Sequence, residues 1–375
     1  MSFEMMIILG AGLAIAWANG SNDVSKGIAT LVGAGVTNYR TAIQWGTFFT
    51  ALGALTGAFL AHAMVATFGG KLLTSAASPD LGAALAIIGG AAGWVLLATR
   101  TGLPVSTTHA IVGSLLGVAL MAFGTAGVAW SILIWKVALP LLLSPLAALA
   151  ATMLLRGAWD RWQTSRKAAD DCLCLTVEPQ VALVQNALIA GPHQTTLTLS
   201  SCDTQTATLD QTHALITVDK LHWISAGLTS FARGMNDAPK LAGLMIGAAL
   251  LSGTAELANQ TAFIVVALAM TAGGLMAGLR VTKMLAEKVT VMNHHEGFTA
   301  NIVTSMLVSS GAIFGLPMST THVSASALIG VGVSGTRGNL HWGAVRTMLA
   351  AWVITLPGAA AFGIMLYGIG KFIQA

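Results

Sequence analysis

The chain has 375 residues, of which 55% are hydrophobic and only 9% charged, and its mean hydropathy is +0.76. Because soluble domains carry roughly 25% charged residues, this composition excludes an ordinary soluble protein and predicts a protein with several membrane spans. The net charge of +4 comes from dispersed Lys and Arg residues rather than a basic patch, so we expect no nucleic-acid partner.

Apolar runs divide the chain into two halves. Residues 1–155 contain five runs, at about 5–36, 41–68, 80–98, 102–123 and 127–155. Residues 156–220 are hydrophilic and predict a loop with a little β structure around Gln194–Ser200. Residues 221–375 contain five more runs, at about 222–250, 256–279, 298–313, 315–333 and 342–369. Residues 1–3 lack a basic n-region, so we interpret the first run as a retained span rather than a signal peptide.

Two polar boxes occur in both halves, in the same order. The first box reads Gly-Ser-Asn-Asp at 20–23 and Gly-Met-Asn-Asp at 234–237. The second reads Pro-Val-Ser-Thr-Thr-His at 104–109 and Pro-Met-Ser-Thr-Thr-His at 317–322. Asp237 follows Asp23 by 214 residues and His322 follows His109 by 213, which indicates an internal duplication.

The distribution of positive charge predicts how the halves are oriented. An odd number of spans per half would invert the second half relative to the first. If residues 156–220 are cytoplasmic, the inner segments carry eleven Lys and Arg residues and the outer segments only Lys71 and Lys371, as the positive-inside rule requires. The inner residues are Arg40, Arg100, Arg156, Arg161, Arg166, Lys167, Lys220, Arg280, Lys283, Lys288 and Arg337. We therefore predict an all-α polytopic membrane protein of two inverted repeats, about five spans each, with both termini outside.

Asp23 and Asp237 are the two acidic residues predicted to lie inside apolar runs. An ionisable group within the membrane costs at least a few kcal/mol and normally faces a cavity or a partner. We interpret the pair as a functional site, with Lys26 and Lys240 three residues further along the same helix faces as charge-balancing residues. The alternative is that each Asp only caps a broken helix or pairs with its own Lys.

Prolines in the boxes predict helix starts within the membrane. Pro239 favours a helix that begins there, with Asn236 and Asp237 as capping residues. Pro104 and Pro317 likewise place the hydroxyl-rich residues that follow them in first turns, where free N–H groups and the helix dipole attract anions. These are Ser106, Thr107, Thr108, Ser319, Thr320 and Thr321. The hydroxyl groups could instead bond back to their own helices.

Three further residues remain open to two interpretations. His109 and His322 could relay a proton or be packing residues. Arg233, four residues before Asp237, could clamp an anion or pair with Asp237.

Together, these boxes resemble the inorganic phosphate transporter (PiT) family over nearly the whole chain outside residues 156–220. The resemblance implies cation-coupled uptake, a homodimer in the cell (inner) membrane, and a substrate site where the two repeats meet. By the same resemblance the substrate and coupling-ion residues are Asn22, Asp23, Asn236 and Asp237, together with the six hydroxyl residues of the Ser-Thr-Thr boxes.

One departure from the family concerns the coupling ion, for which protons and sodium are both candidates. The family usually has a second Asn three residues after the Asp, whereas this chain has Lys26 and Lys240. An ammonium group could take the place of a sodium ion, or could contact the anion directly. Our hypothesis is that transport does not strictly require sodium.

Phosphate is the expected substrate, and sulfate is the alternative. Hydrogen phosphate can donate a hydrogen bond to a carboxylate, whereas sulfate at neutral pH only accepts. Neutralisation of the carboxylates by the two lysines would weaken this discrimination.

An enzyme or sensor is a different class of function. Cys172, Cys174 and Cys202, with His193 or His213, could form a zinc site, but their spacing favours ordinary cytosolic thiols. His294-His295-Glu296 is interpreted as a solvated span end, and no Gly-x-x-x-x-Gly-Lys loop for ATP is present. We therefore expect no enzyme activity, no bound metal and no cofactor other than a coupling ion.

Overall fold

A computed structural model describes residues 2–374 apart from 76, 78, 165–171, 179–180, 185–186, 191–193, 201–213, 254–256, 291 and 335–339. Each of the ten predicted apolar runs contains a helix. The first half contains α1 (Phe3–Asp23), α2 (Ser25–Gly33), α3 (Tyr39–Leu60), α4 (His62–Ala66), α5 (Leu81–Thr101), α6 (Thr107–Phe123), α7 (Trp130–Ile132) and α8 (Leu139–Thr164). The second contains α9 (Val218–Leu251), α10 (Asn259–Ala277), α11 (Leu279–Lys288), α12 (His294–Ile313), α13 (Thr320–Ser334) and α14 (Trp342–Gln374).

Three short helical turns complete the first half, and short strands lie between the halves. The turns are π-helical at Thr67–Lys71 and Leu133–Ala138 and 3-10 helical at Thr125–Gly127. The strands are β1 (Cys172–Glu178), β2 (Val181–Val184), β3 (Ala187–Ala190), β4 (Gln194–Ser200) and β5 (Ala214–Thr217). Antiparallel β4, β1 and β5 form one sheet, and β2 pairs with β3. Cys202, His193 and His213 lie outside the described residues.

Length and apolar composition make the protein membrane-embedded. Six helical stretches of the described residues are long and apolar enough to cross a membrane: Phe3–Gly33, Tyr39–Leu60, Leu81–Thr101, Trp130–Trp159, Asn259–Ala277 and Trp342–Ile373. Large apolar side chains on several helices face outward, with Phe59, Leu154, Met276 and Val353 each more than 70% exposed. Such a surface suits contact with lipid rather than water.

Ion pairs lie at the ends of the helices. At one end, Asp219 at the start of α9 pairs with His294 at the start of α12, and Arg156 of α8 pairs with Glu296. Elsewhere, Asp80 caps α5 and accepts a hydrogen bond from Lys371 near the end of α14 at 2.7 Å. Partial burial raises the pKa of the Asp80 carboxyl group, but hydrogen bonds from Lys371 and the Ala83 N–H outweigh burial and lower that pKa below its ordinary value.

Broken helices occur at both Pro-Val/Met-Ser boxes, as predicted. Gly102 has a φ of 76° and ends α5, and Gly315 has a φ of 69° just after α12. Both conformations favour glycine because an added Cβ would crowd the backbone. The chain then runs without helix through Pro104 and Pro317 before α6 and α13 begin.

The predicted helix start at Pro239 is wrong. Pro239 lies inside α9, which continues from Val218 to Leu251, so Asn236 and Asp237 are helix residues rather than caps. Proline removes the N–H that would bond to the carbonyl of Met235. That carbonyl lies against Gly57 of α3, where an added Cβ would be only 3.2 Å away. We infer that this close packing of α3 on α9 holds the helix together across the proline.

Glycines bring the two halves together through equivalent contacts. A Cβ on Gly20 of α1 would lie 2.0 Å from the Met270 carbonyl oxygen of α10. A Cβ on Gly234 of α9 would lie 2.1 Å from the Thr50 carbonyl oxygen of α3. The backbones therefore approach so closely that only glycine fits at the two positions.

Gly20→Ala is expected to destabilise the protein by about 1–3 kcal/mol, because the new methyl group must push two helix backbones apart. Thermal unfolding of the purified protein in detergent measures the effect. Gly10→Ala is the matched control, because Gly10 lies on the same helix with no atom within 4 Å of the added Cβ. Equal melting temperatures for the two variants would contradict the packing argument.

Candidate functional site

The two buried carboxylates meet at the centre of the molecule. Asn19 of α1 donates from one Nδ2 to Asp23 Oδ2 at 3.0 Å and to Asp237 Oδ2 at 3.3 Å. Asp23 is 1% exposed and Asp237 is 3% exposed. Asn19 therefore bridges acids from the two halves.

Sequence reasoning did not assign Asn19 to the site. One signal was available, because Asn19 precedes Arg233 by the same 214 residues that separate the two aspartates. The residue types differ between the halves, so the duplication alone did not mark the position.

Each carboxylate pairs with the lysine one turn further along its helix. Lys26 Nζ contacts Asp23 Oδ1 and donates to Asn22 Oδ1 at 2.8 Å and to the Asn22 carbonyl at 3.0 Å. Lys240 Nζ donates to Asp237 Oδ1 at 3.1 Å, Thr108 Oγ1 at 2.8 Å and the Met318 carbonyl at 3.0 Å. Each ammonium group thus lies among three oxygens.

Arg233 is the third buried cation. Its Nη2 donates to Thr50 Oγ1 at 3.0 Å, while Nε and Nη1 have no hydrogen-bond partner among the described residues. The side chain is 1% exposed. Buried donors are almost always paired in proteins, so Arg233 presents two N–H groups suited to an acceptor that a ligand would bring.

The buried charges do not balance. Within the described part of the chain, the buried Asp, Lys and Arg residues comprise three cations and two carboxylates. A charge in a low-dielectric interior is costly unless it is paired. The cluster of Asp23, Lys26, Arg233, Asp237 and Lys240, which we call the central cluster, therefore favours one additional negative charge.

The asparagines of the Asn-Asp boxes hold the segments that precede α6 and α13. Asn22 donates to the Leu103 carbonyl at 3.0 Å and accepts from the Val105 N–H at 3.2 Å. Asn236 donates to the Met318 carbonyl at 2.9 Å and accepts from the Met318 N–H at 3.2 Å. These equivalent contacts position the two helix starts beside the central cluster.

The starts of α6 and α13 meet each other. Ser106 accepts from the His109 N–H, Ser319 accepts from the His322 N–H, and Ser319 Oγ donates to Ser106 Oγ at 2.9 Å. The serine hydroxyls are therefore N-caps. Two positive helix ends in contact add to the preference of this region for an anion.

The threonines of the same boxes take different partners. Thr107 Oγ1 donates to Asp23 Oδ2 at 3.3 Å, Thr108 accepts from Lys240, and Thr321 Oγ1 donates to the Val105 carbonyl at 2.8 Å. Thr320 is 3% exposed in the first turn of α13. All four threonines are thus buried close to the cluster.

The two histidines stack on each other. Their ring centroids are 4.4 Å apart, His109 Nδ1 lies 2.9 Å from Ser106 Oγ, and His322 Nδ1 contacts Ser319 Oγ. With the Ser319–Ser106 contact, these groups form one hydrogen-bonded chain from ring to ring. The ring of His322 also packs on Trp352 at 4.0 Å between centroids.

Comparison with known proteins identifies the family. The model of the phosphate transporter family matches residues 19–363. This chain belongs to that family. The match spans both halves of the duplication and includes the whole central cluster.

Members of the family with assigned names resemble the chain over nearly its full length. It is 28% identical to a probable low-affinity inorganic phosphate transporter of Mycobacterium tuberculosis, over 99% of this chain and 78% of that protein. It is 26% identical to a protein of the same name from Rhizobium meliloti, over 98% and 97% of the two chains. These relatives are transporters, not enzymes.

A solved structure described as the sodium-dependent phosphate transporter has the same fold. It superposes with a TM-score of 0.78 at 20% identity, covering 99% of this chain and 100% of the other.

Proposed function

We propose that the protein is a secondary transporter that imports inorganic phosphate through the central cluster. The observation that carries the proposal is the uncompensated positive charge of the cluster, with two unpaired N–H groups on buried Arg233. An oxyanion at this position would balance the charge and accept those hydrogen bonds. The names of the relatives, which refer to inorganic phosphate, support the same substrate.

We propose that the anion lies between the meeting starts of α6 and α13 and the two carboxylates. The proposed substrate residues are Asn22, Asp23, Ser106, Thr107, Thr108, Asn236, Asp237, Ser319, Thr320 and Thr321. Arg233, Lys26 and Lys240 balance charge, and the His109–His322 chain is proposed as a proton relay. Asn19 is added to the set because it bridges the acids.

Phosphate is favoured over sulfate because of the carboxylates. Hydrogen phosphate can donate its proton to a carboxylate oxygen, whereas sulfate would place a bare acceptor against another acceptor. We therefore expect labelled sulfate at equal concentration to enter proteoliposomes about tenfold more slowly than phosphate, or more slowly still. Equal uptake of the two anions would contradict a role for the carboxylates in selectivity.

The architecture supports alternating access between two inverted repeats. The close contact of Gly20 with Met270 is matched by that of Gly234 with Thr50, as a two-fold relation between the halves requires. The distribution of Lys and Arg supports a cytoplasmic segment at 156–220 with both termini outside. The homodimer implied by the resemblance belongs to the same proposal.

The lysines support coupling that does not require sodium. Each ammonium group contacts three oxygens and a carboxylate is among them, which is the kind of environment that hard cations prefer. We propose that these tethered cations take the positions of coupling ions, leaving protons as the coupling species.

Replacement of sodium tests this coupling. Phosphate uptake into proteoliposomes at constant pH is expected to change by less than about twofold when choline replaces sodium, because Lys26 and Lys240 already neutralise the acids. Collapse of an imposed proton gradient is expected to lower accumulation. Uptake that disappears in choline would contradict the proposed role of the lysines.

A further inference from the structure

Helix α9 carries a buried polar stripe that leads from its first turns to the central cluster. His222, Ser225 and Thr229 follow one another at about one-turn intervals, and Thr229 lies one turn before Arg233. All three are no more than 1% exposed. Polar side chains at this depth are uncommon unless they have a partner or a function.

Helices α2 and α12 complete the stripe. Asn301 Nδ2 of α12 donates to Thr30 Oγ1 of α2 at 2.8 Å, and lies 3.5 Å from Ser225 Oγ. Thr229 Oγ1 lies 2.9 Å from the Asn301 carbonyl, to which it donates. Thr30 in turn lies one turn beyond Lys26. We call His222, Ser225, Thr229, Thr30 and Asn301 the polar route.

The outer end of the polar route has unused hydrogen-bonding capacity. His222 is 0% exposed, and neither ring nitrogen has a partner among the described residues. Gly297 of α12 lies against the ring, where an added Cβ would be 2.3 Å from Cε1. Beyond it, Asp219 and His294 pair at the surface. The buried imidazole is therefore available to water or to a solute that passes between α9 and α12.

The equivalent positions in the first half are apolar. Subtracting 214 from 222 and 229 gives Ile8 and Ile15, and subtracting 213 from 301 gives Ile88; adding 214 to 30 gives Leu244. The four side chains are between 0% and 7% exposed. Ile88 and Leu244 line an apolar crevice of about 300 Å³. The duplicated interface thus has opposite chemistry in the two halves.

We propose that the polar route is the path by which phosphate moves between the central cluster and the side of the membrane at which α9 begins. Its apolar equivalents form the gate on the other side, which closes by excluding water. The inference rests on the proposed function, because phosphate is taken as the solute. A hydrated anion can exchange water for hydroxyl, amide and imidazole groups along the polar route, whereas the apolar gate gives it no replacement.

Matched substitutions test the chemistry of the route. Thr229→Val and Asn301→Leu are expected to lower phosphate uptake about tenfold, because each leaves an anion in transit without hydrogen-bonding groups. Binding of labelled phosphate to the purified variants should stay within about twofold, since the central cluster is untouched. The controls are Ile15→Val and Ile88→Leu, which should change both quantities less than about twofold. Unchanged uptake in the route variants, or an equal loss of binding and uptake, would overturn the proposal.

Cysteine labelling tests the side on which the route opens. In a background with Cys172→Ser, Cys174→Ser and Cys202→Ser, Thr229→Cys should react with an impermeant anionic thiosulfonate about tenfold faster from the side where α9 begins. Ile15→Cys should show the opposite preference. Reaction of both from one side would overturn the proposed path. Labelling is read by mass, so it is independent of uptake; wild-type vesicles that take up no phosphate would instead refute the proposed function.

Discussion

Asp23→Asn and Asp237→Asn are each expected to lower phosphate uptake by at least about a hundredfold. Removing one carboxylate leaves its lysine buried without a partner, which costs about 3–5 kcal/mol, and each 1.4 kcal/mol corresponds to about tenfold in an equilibrium constant. The substitution also removes the acceptor to which hydrogen phosphate would donate. The measurement is the initial rate of labelled phosphate uptake into proteoliposomes with a fixed amount of protein.

Asp80→Asn is the matched control for these variants. Asp80 forms an exposed pair with Lys371, and such a pair contributes only about 0–1 kcal/mol. Asparagine is also as good an N-cap as aspartate, so α5 should be unaffected. Gel filtration of all three variants separates loss of transport from loss of folding. Normal uptake by a well-folded Asp23→Asn and Asp237→Asn pair would refute the role of the carboxylates.

Lys240→Asn is expected to produce a sodium-dependent transporter with reduced activity. The substitution removes an ammonium group but leaves Asp237 Oδ1, Thr108 Oγ1 and the Met318 carbonyl around the space it occupied. Without sodium, the buried carboxylate is unpaired and uptake should fall about tenfold or more. Sodium should restore part of the rate, because the remaining oxygens suit a hard cation.

Uptake in sodium and in choline, measured side by side, provides this test. Lys26→Asn should behave in the same way, because Lys26 has the equivalent three oxygen contacts. Lys71→Asn is the control, since Lys71 is exposed and distant in sequence from both boxes. Equal rates in the two salts for Lys240→Asn would show that the ammonium group does not stand in for a cation.

The main features of the site could be predicted from the sequence because membranes penalise polar groups so strongly. Asp23 and Asp237 stood out as acids within apolar runs, and their equal spacing from Pro-containing boxes indicated a shared site. The helix starts at Thr107 and Thr320 followed from the backbone limits of Pro104 and Pro317, together with the capping ability of serine. Local physics was sufficient for these features.

Contacts between helices could not be predicted in the same way. Asn19 bridges two acids only because α1 and α9 approach at Gly20 and Gly234, and the relative register of two helices is a property of tertiary packing. The continuity of α9 through Pro239 likewise depends on how α3 packs against it. Local propensity is overridden where packing is this close.

The position of a bound oxyanion tests the central claim most directly. Arsenate has the shape and protonation of phosphate and scatters anomalously, so its location can be measured in crystals grown at saturating arsenate. We predict an anomalous peak at the central cluster, with an arsenate oxygen within about 3 Å of an Arg233 nitrogen and the anion beside the starts of α6 and α13. A peak elsewhere, with Arg233 still unpaired, would contradict the account.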